Sequence, residues 1–399
     1  MAKFISIKLL NAQPVWNPGD TILGEVHFTC MEQVDIQSVS VLFQGKAKAK
    51  FRRSNGQSTS TFKSKMRLFH SNEILFRGPF TLPKGAMKWP FEFPIPTTCR
   101  WATGEGFNQN ALFDTSRDQP LPPSFSSSGF TNHKECQVEY ALTAVMQTSR
   151  TFATNRDFVL PITIIPPRIH EPSQFRPLKL PKAFFVQTLH LDPEVNDRSL
   201  TFKEKMRTAF RSETLPRTNF KIQLELPGAA LAHGPVNPIM YLEHNLDRST
   251  ATEIPIVNLV AFTLNLKHDV VIRTSGLMHD RLQDWSDSRL ICNWIGRIPL
   301  SERLEVLKSI RPGTVLPPNV TPSFSTHNIV LGYRWKAKYT IECATKRFDA
   351  EATGPCAVLG PQNDTPTAIL PGLPTSVAQI PIEEEQLPAY SEEGEAIPV

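Results

Sequence analysis

The sequence predicts an all-β protein with two tandem antiparallel β-sandwiches of immunoglobulin-like architecture, followed by a disordered C-terminal tail. Proline makes up 35 of 399 residues, about 9 % against a usual ~5 %, and prolines this dense interrupt helices. Segments in which every second residue is apolar recur in both halves of the chain, as in strands with one buried face. Hydrophobic residues make up 40 %, including 25 Phe, which is enough for sizeable cores.

The first sandwich is predicted over residues 1–165. Alternating segments lie at 25–28, 38–43, 91–95 and 138–142. Turn signals separate them at Asn17-Pro18-Gly19-Asp20, Asn55-Gly56 and Gly78-Pro79. Residues 97–134 break the alternation and are rich in Pro, Gly and Ser, which predicts a long loop.

The second sandwich is predicted over residues 182–358, after a stiff Pro-rich connector at 166–181. Its alternating segments lie at 220–226, 260–266 and 333–341. Segment 199–211 is ambiguous, because Phe202, Met206 and Phe210 are four residues apart. It is either a short basic amphipathic helix or a mobile basic linker.

The last segment, 359–399, loses the hydrophobic pattern and combines prolines with clustered glutamates, so it is predicted to be disordered. From residue 348 onward there are nine acidic residues and no Lys or Arg. The rest of the chain therefore carries 43 basic against 29 acidic residues, a net +14. A basic body indicates anionic partners.

Motifs that are missing from the sequence indicate the cellular compartment and the absence of an enzymatic activity. It has no secretory apolar segment, no run of ~20 apolar residues and no Cys-x-x-Cys among its six cysteines. We therefore expect a cytosolic chain with reduced thiols. Phosphate-loop, dinucleotide-binding, nucleophile-elbow and zinc-protease motifs are missing as well, so we predict a protein that is not an enzyme and uses no cofactor or metal.

The sharpest local pattern is a basic hairpin with cations at every second position of two adjacent segments. They are Lys46, Lys48, Lys50 and Arg52 on the first segment and Lys63, Lys65 and Arg67 on the second. If the two strands pair, seven like charges crowd one face, which a fold tolerates more readily when the face binds an anion. The alternatives are a solvated lysine face or an edge strand protected from aggregation by charge. Phe51 points to the other face, so no aromatic ring could stack on a base, and nucleic acid is not the expected partner.

A second motif lies in the acidic tail, at Leu387-Pro388-Ala389-Tyr390. In a polyproline II segment with three residues per turn, Leu387 and Tyr390 fall on one side, next to Pro388. An aromatic-lined groove can bind such a segment, and Leu-Pro-x-Tyr is a variant of the Pro-Pro-x-Tyr ligand of WW domains. The alternative is that Leu387 and Tyr390 are incidental apolar residues.

The order of several motifs resembles arrestin-like proteins. Residues 16–26, Trp-Asn-Pro-Gly-Asp-Thr-Ile-Leu-Gly-Glu-Val, resemble the opening of arrestin-like N-terminal domains. Matching segments follow at 36–45, at 85–96 and at 138–142. The Leu-Pro-Pro-Ser-Phe loop at 121–125 and the overall layout are similar to fungal α-arrestins, and the second half resembles the C-terminal arrestin domain.

The resemblance implies two arrestin-type sandwiches in a cytosolic adaptor, associated peripherally with the plasma membrane or endosomes. Proteins of this kind bind membrane transporters or receptors and recruit WW-domain HECT ubiquitin ligases, so that the cargo is ubiquitylated and internalised. Leu387, Pro388 and Tyr390 would then contact the ligase. The basic hairpin would bind acidic or phosphorylated cytosolic segments of the cargo.

Two other functions fit the same sequence. One is a ligase-independent trafficking scaffold, similar to the arrestin-like subunits of retromer. The other is a module that binds anionic lipid or phosphopeptides through the basic hairpin.

Overall fold

A computed structural model describes the chain over the ranges 4–54, 56, 58–100, 110–114, 116, 118–129, 133–148, 156–168, 170–195, 198–210, 214–275, 280–317 and 320–362. The described residues of the first half form eight strands: β1 (Phe4–Leu9), β2 (Thr21–Cys30), β3 (Val34–Ser54), β4 (Thr59–Leu82), β5 (Gly85–Pro94), β6 (Phe125–Ser128), β7 (Lys134–Thr148) and β8 (Arg156–Ile162). They form a three-stranded sheet, β1-β2-β5, and a five-stranded sheet, β4-β3-β7-β6, in which β8 also pairs with β7.

The second half is built in the same way from two sheets. Its elements are β9 (Leu178–Gln187), α1 (Phe202–Phe210), β10 (Arg217–Leu226), β11 (Ala229–Leu231), β12 (Ile239–Asn245), β13 (Val257–Thr274), β14 (Arg281–Pro299), β15 (Arg303–Glu305), α2 (Val306–Ile310), β16 (Phe324–Ser325), β17 (Ile329–Cys343) and β18 (Lys346–Leu359). Single 3-10 turns lie at Pro172–Gln174, Leu189–Leu191 and Leu246–Arg248. One sheet has the order β15-β12-β10-β9, and the other has β11-β18-β17-β13-β14 with β16 on β17.

Each pair of sheets encloses a core made of the apolar residues at alternating positions. Phe43 and Phe69 meet edge to face in the first core, with ring centroids 4.8 Å apart. Trp335 and Phe262 are fully buried in the second core. The predicted fold class, two tandem antiparallel sandwiches, is confirmed. The helix at 202–210 also resolves the ambiguity of segment 199–211.

Three local predictions were wrong. Gly78-Pro79 is not a turn but lies inside β4, where the β3–β4 register skips residues between the Ile36 and Ser38 pairs. Proline lacks the N–H that a regular ladder needs, so it is accommodated at this irregularity. The region 97–134 is not all loop, because Phe125–Ser128 forms β6 and pairs with β7. Within the segment read as connector, Leu178 already begins β9, held by its pairing with β10.

The two sandwiches meet where the β3–β4 hairpin packs on the far ends of β13 and β17. The hairpin contributes small apolar side chains, Ala47 and Ala49, both almost fully buried. Opposite them, the ends of β13 and β17 contribute four buried residues to the first core. These are Val270, Ile272, Ile329 and Leu331. The first core is therefore completed by residues of the second half.

Buried polar groups fix the position of this contact. The Asn328 amide donates to the Ser64 hydroxyl at 2.9 Å and to the Ala47 carbonyl at 3.2 Å. Ser64 in turn donates to the Arg273 carbonyl at 2.8 Å. Arg273, itself fully buried, donates to the His327 carbonyl at 2.8 Å. Buried groups of this kind are costly to leave unpaired, so they define one docking geometry.

All six cysteines are buried and free. Burial raises the pKa of Cys99, Cys136, Cys343 and Cys356 to about 12. Since the thiolate is the reactive form, these thiols are poor nucleophiles at neutral pH.

The buried amide of Asn328 predicts a measurable stability effect. Asn328→Ala should lower the free energy of unfolding by about 1–3 kcal/mol, because it removes two bonds across a buried interface. Urea unfolding measures this change. Asn219→Ala is the matched control, since its amide donates to the Arg248 carbonyl at a more exposed position. Equal effects of the two substitutions would show that the interface bonds contribute no more to stability than an exposed hydrogen bond does.

Candidate functional site

The predicted basic hairpin is formed by β3 and β4, and the register brings its cations together. Lys46 pairs with Arg67, Lys48 with Lys65 and Lys50 with Lys63, while Arg52 lies opposite Thr61. We call the surface formed by these seven cations the basic face. Its opposite side carries Ala47, Ala49 and Phe51, which are buried. The docking of that side leaves the cations facing outward.

Carboxylates from the neighbouring strand compensate part of this charge. β7 places Glu139 opposite Lys46 and Glu135 opposite Lys50. Glu139 forms an ion pair with Lys48, and Glu135 forms one with Lys50 at 2.5 Å. Seven cations against two carboxylates leave an excess of five positive charges. The compensation is confined to the side of the face nearest β7.

The β4 side of the basic face is not compensated. Within the described ranges no carboxylate forms an ion pair with Lys63, Lys65 or Arg67. All three are exposed. These cations are therefore available to an external anion.

A groove of about 460 Å³ crosses the strands on this face. Two rows of side chains form its walls: Lys65, Lys48, Gln137 and Ser126 on one side, and Lys63, Lys50, Glu135 and Ser128 on the other. Its floor is the backbone of the residues between the rows, whose side chains point to the other side of the sheet. The groove thus has cations at its β4 end and serine hydroxyls at its β6 end.

Burial, together with the neighbouring cations, lowers the pKa of two groups at the basic face. Burial and then the charge of Lys65 lower the pKa of Lys46. Burial, Arg67 and Lys46 lower the pKa of His70, so its neutral form is favoured. A lowered folded-state pKa means that protonated Lys46 costs stability at neutral pH, and this cost disappears as the pH rises through the ordinary lysine range. An anion bound here would relieve it.

The chemistry of the basic face is suited to holding an anion. Ammonium groups bind carboxylate or phosphate as point charges, and serine hydroxyls add hydrogen bonds. The two nearby aromatic rings, Phe51 and Phe62, pack against each other at an angle of 31° with centroids 4.9 Å apart, and Phe51 is buried on the other side of the hairpin. Among the described residues the face therefore offers charge and hydroxyls, with no ring on which a base could stack.

Sequence reasoning missed the partners that β7 and β6 bring to this site. Glu135, Gln137 and Glu139 alternate along β7, a local signal that they share one face. Their position beside β3 depends on a pairing across 85 residues, between Lys50 and Glu135. Nothing in the local sequence specifies that pairing.

The second predicted site, Leu387, Pro388 and Tyr390, lies outside the described residues, as does the rest of the tail from residue 363. Its role as a WW ligand stays a prediction.

No helix in the described part of the chain is long and apolar enough to cross a bilayer. Likewise, the described residues contain no group of three or more His, Cys, Asp or Glu side chains placed to hold a metal ion.

The fold and the site define a class of protein first: a tandem β-sandwich protein with a charged sheet face open to solvent. The family model of the arrestin (or S-antigen) N-terminal domain matches residues 5–110, which span β1 to β5 and include the basic hairpin. This confirms the resemblance to arrestin-like proteins and supports a trafficking adaptor in general terms. The finer assignment to fungal α-arrestins stays a prediction. A search of curated proteins finds no match to the chain.

Substitution of Lys65 tests whether the like charges of the basic face lower the stability of the fold. Lys65 lies opposite Lys48, and its charge adds to burial in lowering the pKa of Lys46. Lys65→Glu should raise the free energy of unfolding by several tenths to about 1 kcal/mol, as like charges across a ladder are destabilising. Lys182→Glu, at an exposed position on β9, is the control with the same change in net charge. Urea unfolding at low salt measures the free energy of unfolding of both variants. Equal effects at both positions would mean that only the net charge of the chain affects stability.

Proposed function

We propose that the chain is a trafficking adaptor that binds acidic or phosphorylated cytosolic segments of membrane proteins on its basic face. It links this cargo to a WW-domain HECT ubiquitin ligase, which promotes ubiquitylation and endocytosis of the cargo. The adaptor works without catalysis of its own, in the cytoplasm and at the periphery of the plasma membrane or endosomes.

The observation that carries this proposal is the convergence of seven cations on one face, where ion pairs with two carboxylates are formed among the described residues. The like-charge pairs of this face oppose folding, since cations directly across a ladder repel. When an anionic ligand binds, the same cations attract the ligand, and this attraction contributes to the free energy of binding. The match to the arrestin N-terminal domain covers the same strands and supports an adaptor.

The groove suggests how such a segment is held. It spans β4, β3, β7 and β6, and with strands about 4.8 Å apart its length suits roughly four extended residues. A phosphate or carboxylate would lie between Lys63 and Lys65, which lack ion pairs within the described ranges. The neighbouring residues of the segment would then reach Ser126 and Ser128.

Binding of an anionic peptide tests the cargo part of the proposal. Lys63→Glu/Lys65→Glu should weaken binding of a phosphorylated, Glu-rich peptide to the full chain by about tenfold or more, because attraction at the groove becomes repulsion. Fluorescence polarisation with the labelled peptide measures the affinity. Binding should also weaken with salt.

The matched control is Lys179→Glu/Lys182→Glu, which changes the net charge equally on exposed positions of β9. If both double variants weaken binding of the peptide to the same degree, the electrostatic attraction is non-specific and the basic face is not the cargo site. Binding of anionic vesicles that Lys63→Glu/Lys65→Glu abolishes, with no binding of any anionic peptide, would instead favour the lipid-binding alternative for this face.

Leu387, Pro388 and Tyr390 are proposed as the ligase contact. A peptide covering residues 383–395 should bind WW domains weakly, since ordering the segment offsets part of the contact energy. Tyr390→Ala should abolish binding, whereas Ser391→Ala, which keeps the motif, should not. Calorimetric titration measures both. Equal binding by the Tyr390→Ala peptide would remove the ligase part and favour the retromer-like scaffold.

A further inference from the structure

Helix α1 (Phe202–Phe210) exposes its apolar side to solvent, whereas its partly buried positions are polar. At ~100° per residue, Phe202, Met206 and Phe210 form one stripe, and Glu204 and Thr208 lie on the opposite side. Phe202 is 80 % exposed, Phe210 76 % and Met206 43 %. Glu204 and Thr208 are the partly buried positions. A surface helix of a globular protein normally has the reverse orientation.

This orientation is fixed by specific contacts. Arg198 donates two hydrogen bonds to the Glu204 carboxylate, at 2.6 and 2.9 Å. Thr201 and Glu204 cap the helix start reciprocally, since the Thr201 backbone N–H donates to Glu204 at 2.7 Å and the Glu204 N–H points back to the Thr201 hydroxyl at 3.4 Å. Just before the helix, Leu200 packs on a small cluster of Leu189, Val195 and Leu215. The segment that precedes α1 therefore holds Glu204, and Leu200 anchors that segment on the body.

The charges of α1 border the apolar stripe. The stripe runs from Phe202 at one edge to Phe210 at the other. By the same ~100° step, Lys203 lies next to the Phe210 edge, and Arg207 lies further round the helix on that side. Lys205 lies beyond the Phe202 edge. The acidic residue of the helix, Glu204, is paired with Arg198 on the far side. An approaching surface thus meets three cations around two phenylalanines and a methionine. This is the pattern of helices that lie in the interface of anionic bilayers.

We infer that α1 is a membrane-docking helix, which inserts Phe202, Met206 and Phe210 into the interface of an anionic bilayer while its cations contact lipid headgroups. The site is separate from the basic face and does not depend on the cargo or ligase proposals. It would place the whole chain on the surface at which membrane cargo is found. Apolar insertion and charge attraction each contribute, so neither is expected to suffice alone.

Co-sedimentation of the full chain with vesicles tests the inference. The chain should bind vesicles of phosphatidylcholine with phosphatidylserine, and bind phosphatidylcholine vesicles much less. Phe202→Ser/Phe210→Ser should weaken binding about tenfold or more, since two exposed rings lose their apolar insertion. Lys203→Glu/Lys205→Glu should weaken it as well and reduce its salt dependence.

Two controls keep the result specific. Ile295→Ser removes an apolar residue that is 82 % exposed on β14 and should leave vesicle binding unchanged. Lys63→Glu/Lys65→Glu should also leave most of it, because those residues belong to the basic face. Circular dichroism verifies that each variant is folded, which exposed substitutions should permit.

Insertion of the helix can be measured directly by labelling one introduced cysteine, because the native thiols are buried. Met206→Cys introduces an exposed thiol that reacts selectively with an environment-sensitive dye, and its fluorescence should shift to that of an apolar environment on anionic vesicles. The same dye at Ile295→Cys should not respond. The inference is overturned if the wild-type chain ignores anionic vesicles, if the dye at position 206 stays in water, or if only the basic-face variant loses binding. It is also overturned if the stripe instead joins two copies of the chain, seen as self-association that Phe202→Ser/Phe210→Ser abolishes.

Discussion

The packing of the β3–β4 hairpin on the ends of β13 and β17 is the interaction on which the candidate site depends. Ala47 and Ala49 are small enough for the second half to approach, and Asn328 bonds the contact through Ser64. Because side chains alternate along a strand, burying one side of the hairpin sends every cation of the other side outward. The position of the basic face is thus a consequence of how the two sandwiches meet.

The charge of that face is graded across the sheet. Towards β7, Glu135 and Glu139 pair with Lys50 and Lys48, which limits the repulsion that the fold must absorb. Towards β4, the cations keep their charge available. Complete compensation would give a more stable sheet with nothing to attract an anion, and no compensation would add to the cross-strand repulsion. The arrangement lies between these limits, and burial followed by the charge of Lys65 lowers the pKa of Lys46.

Those parts of the structure that local spacing controls could be predicted from sequence. The alternation of Lys46–Arg52 and Lys63–Arg67 predicts outward cations on paired strands, and the four-residue spacing from Phe202 to Phe210 predicts a possible helix. What could not be predicted depends on contacts between distant segments. The carboxylates of β7 reach the site through non-local pairing, and the short β6 has no strong pattern of its own. The outward orientation of α1 is set by Arg198 and Glu204 rather than by its amphipathic spacing, which taken alone suggests a buried stripe.

The first core contains Val270, Ile272, Ile329 and Leu331, which come from the other half of the chain. The N-terminal sandwich is therefore not self-sufficient: separated from the second half, it would expose an apolar surface along the hairpin. The two halves should melt together as one cooperative unit. A change of side-chain volume at Ala47 or Ala49 would require a compensating change among the four residues that the second half contributes to this core. The two sets of positions are therefore expected to evolve together.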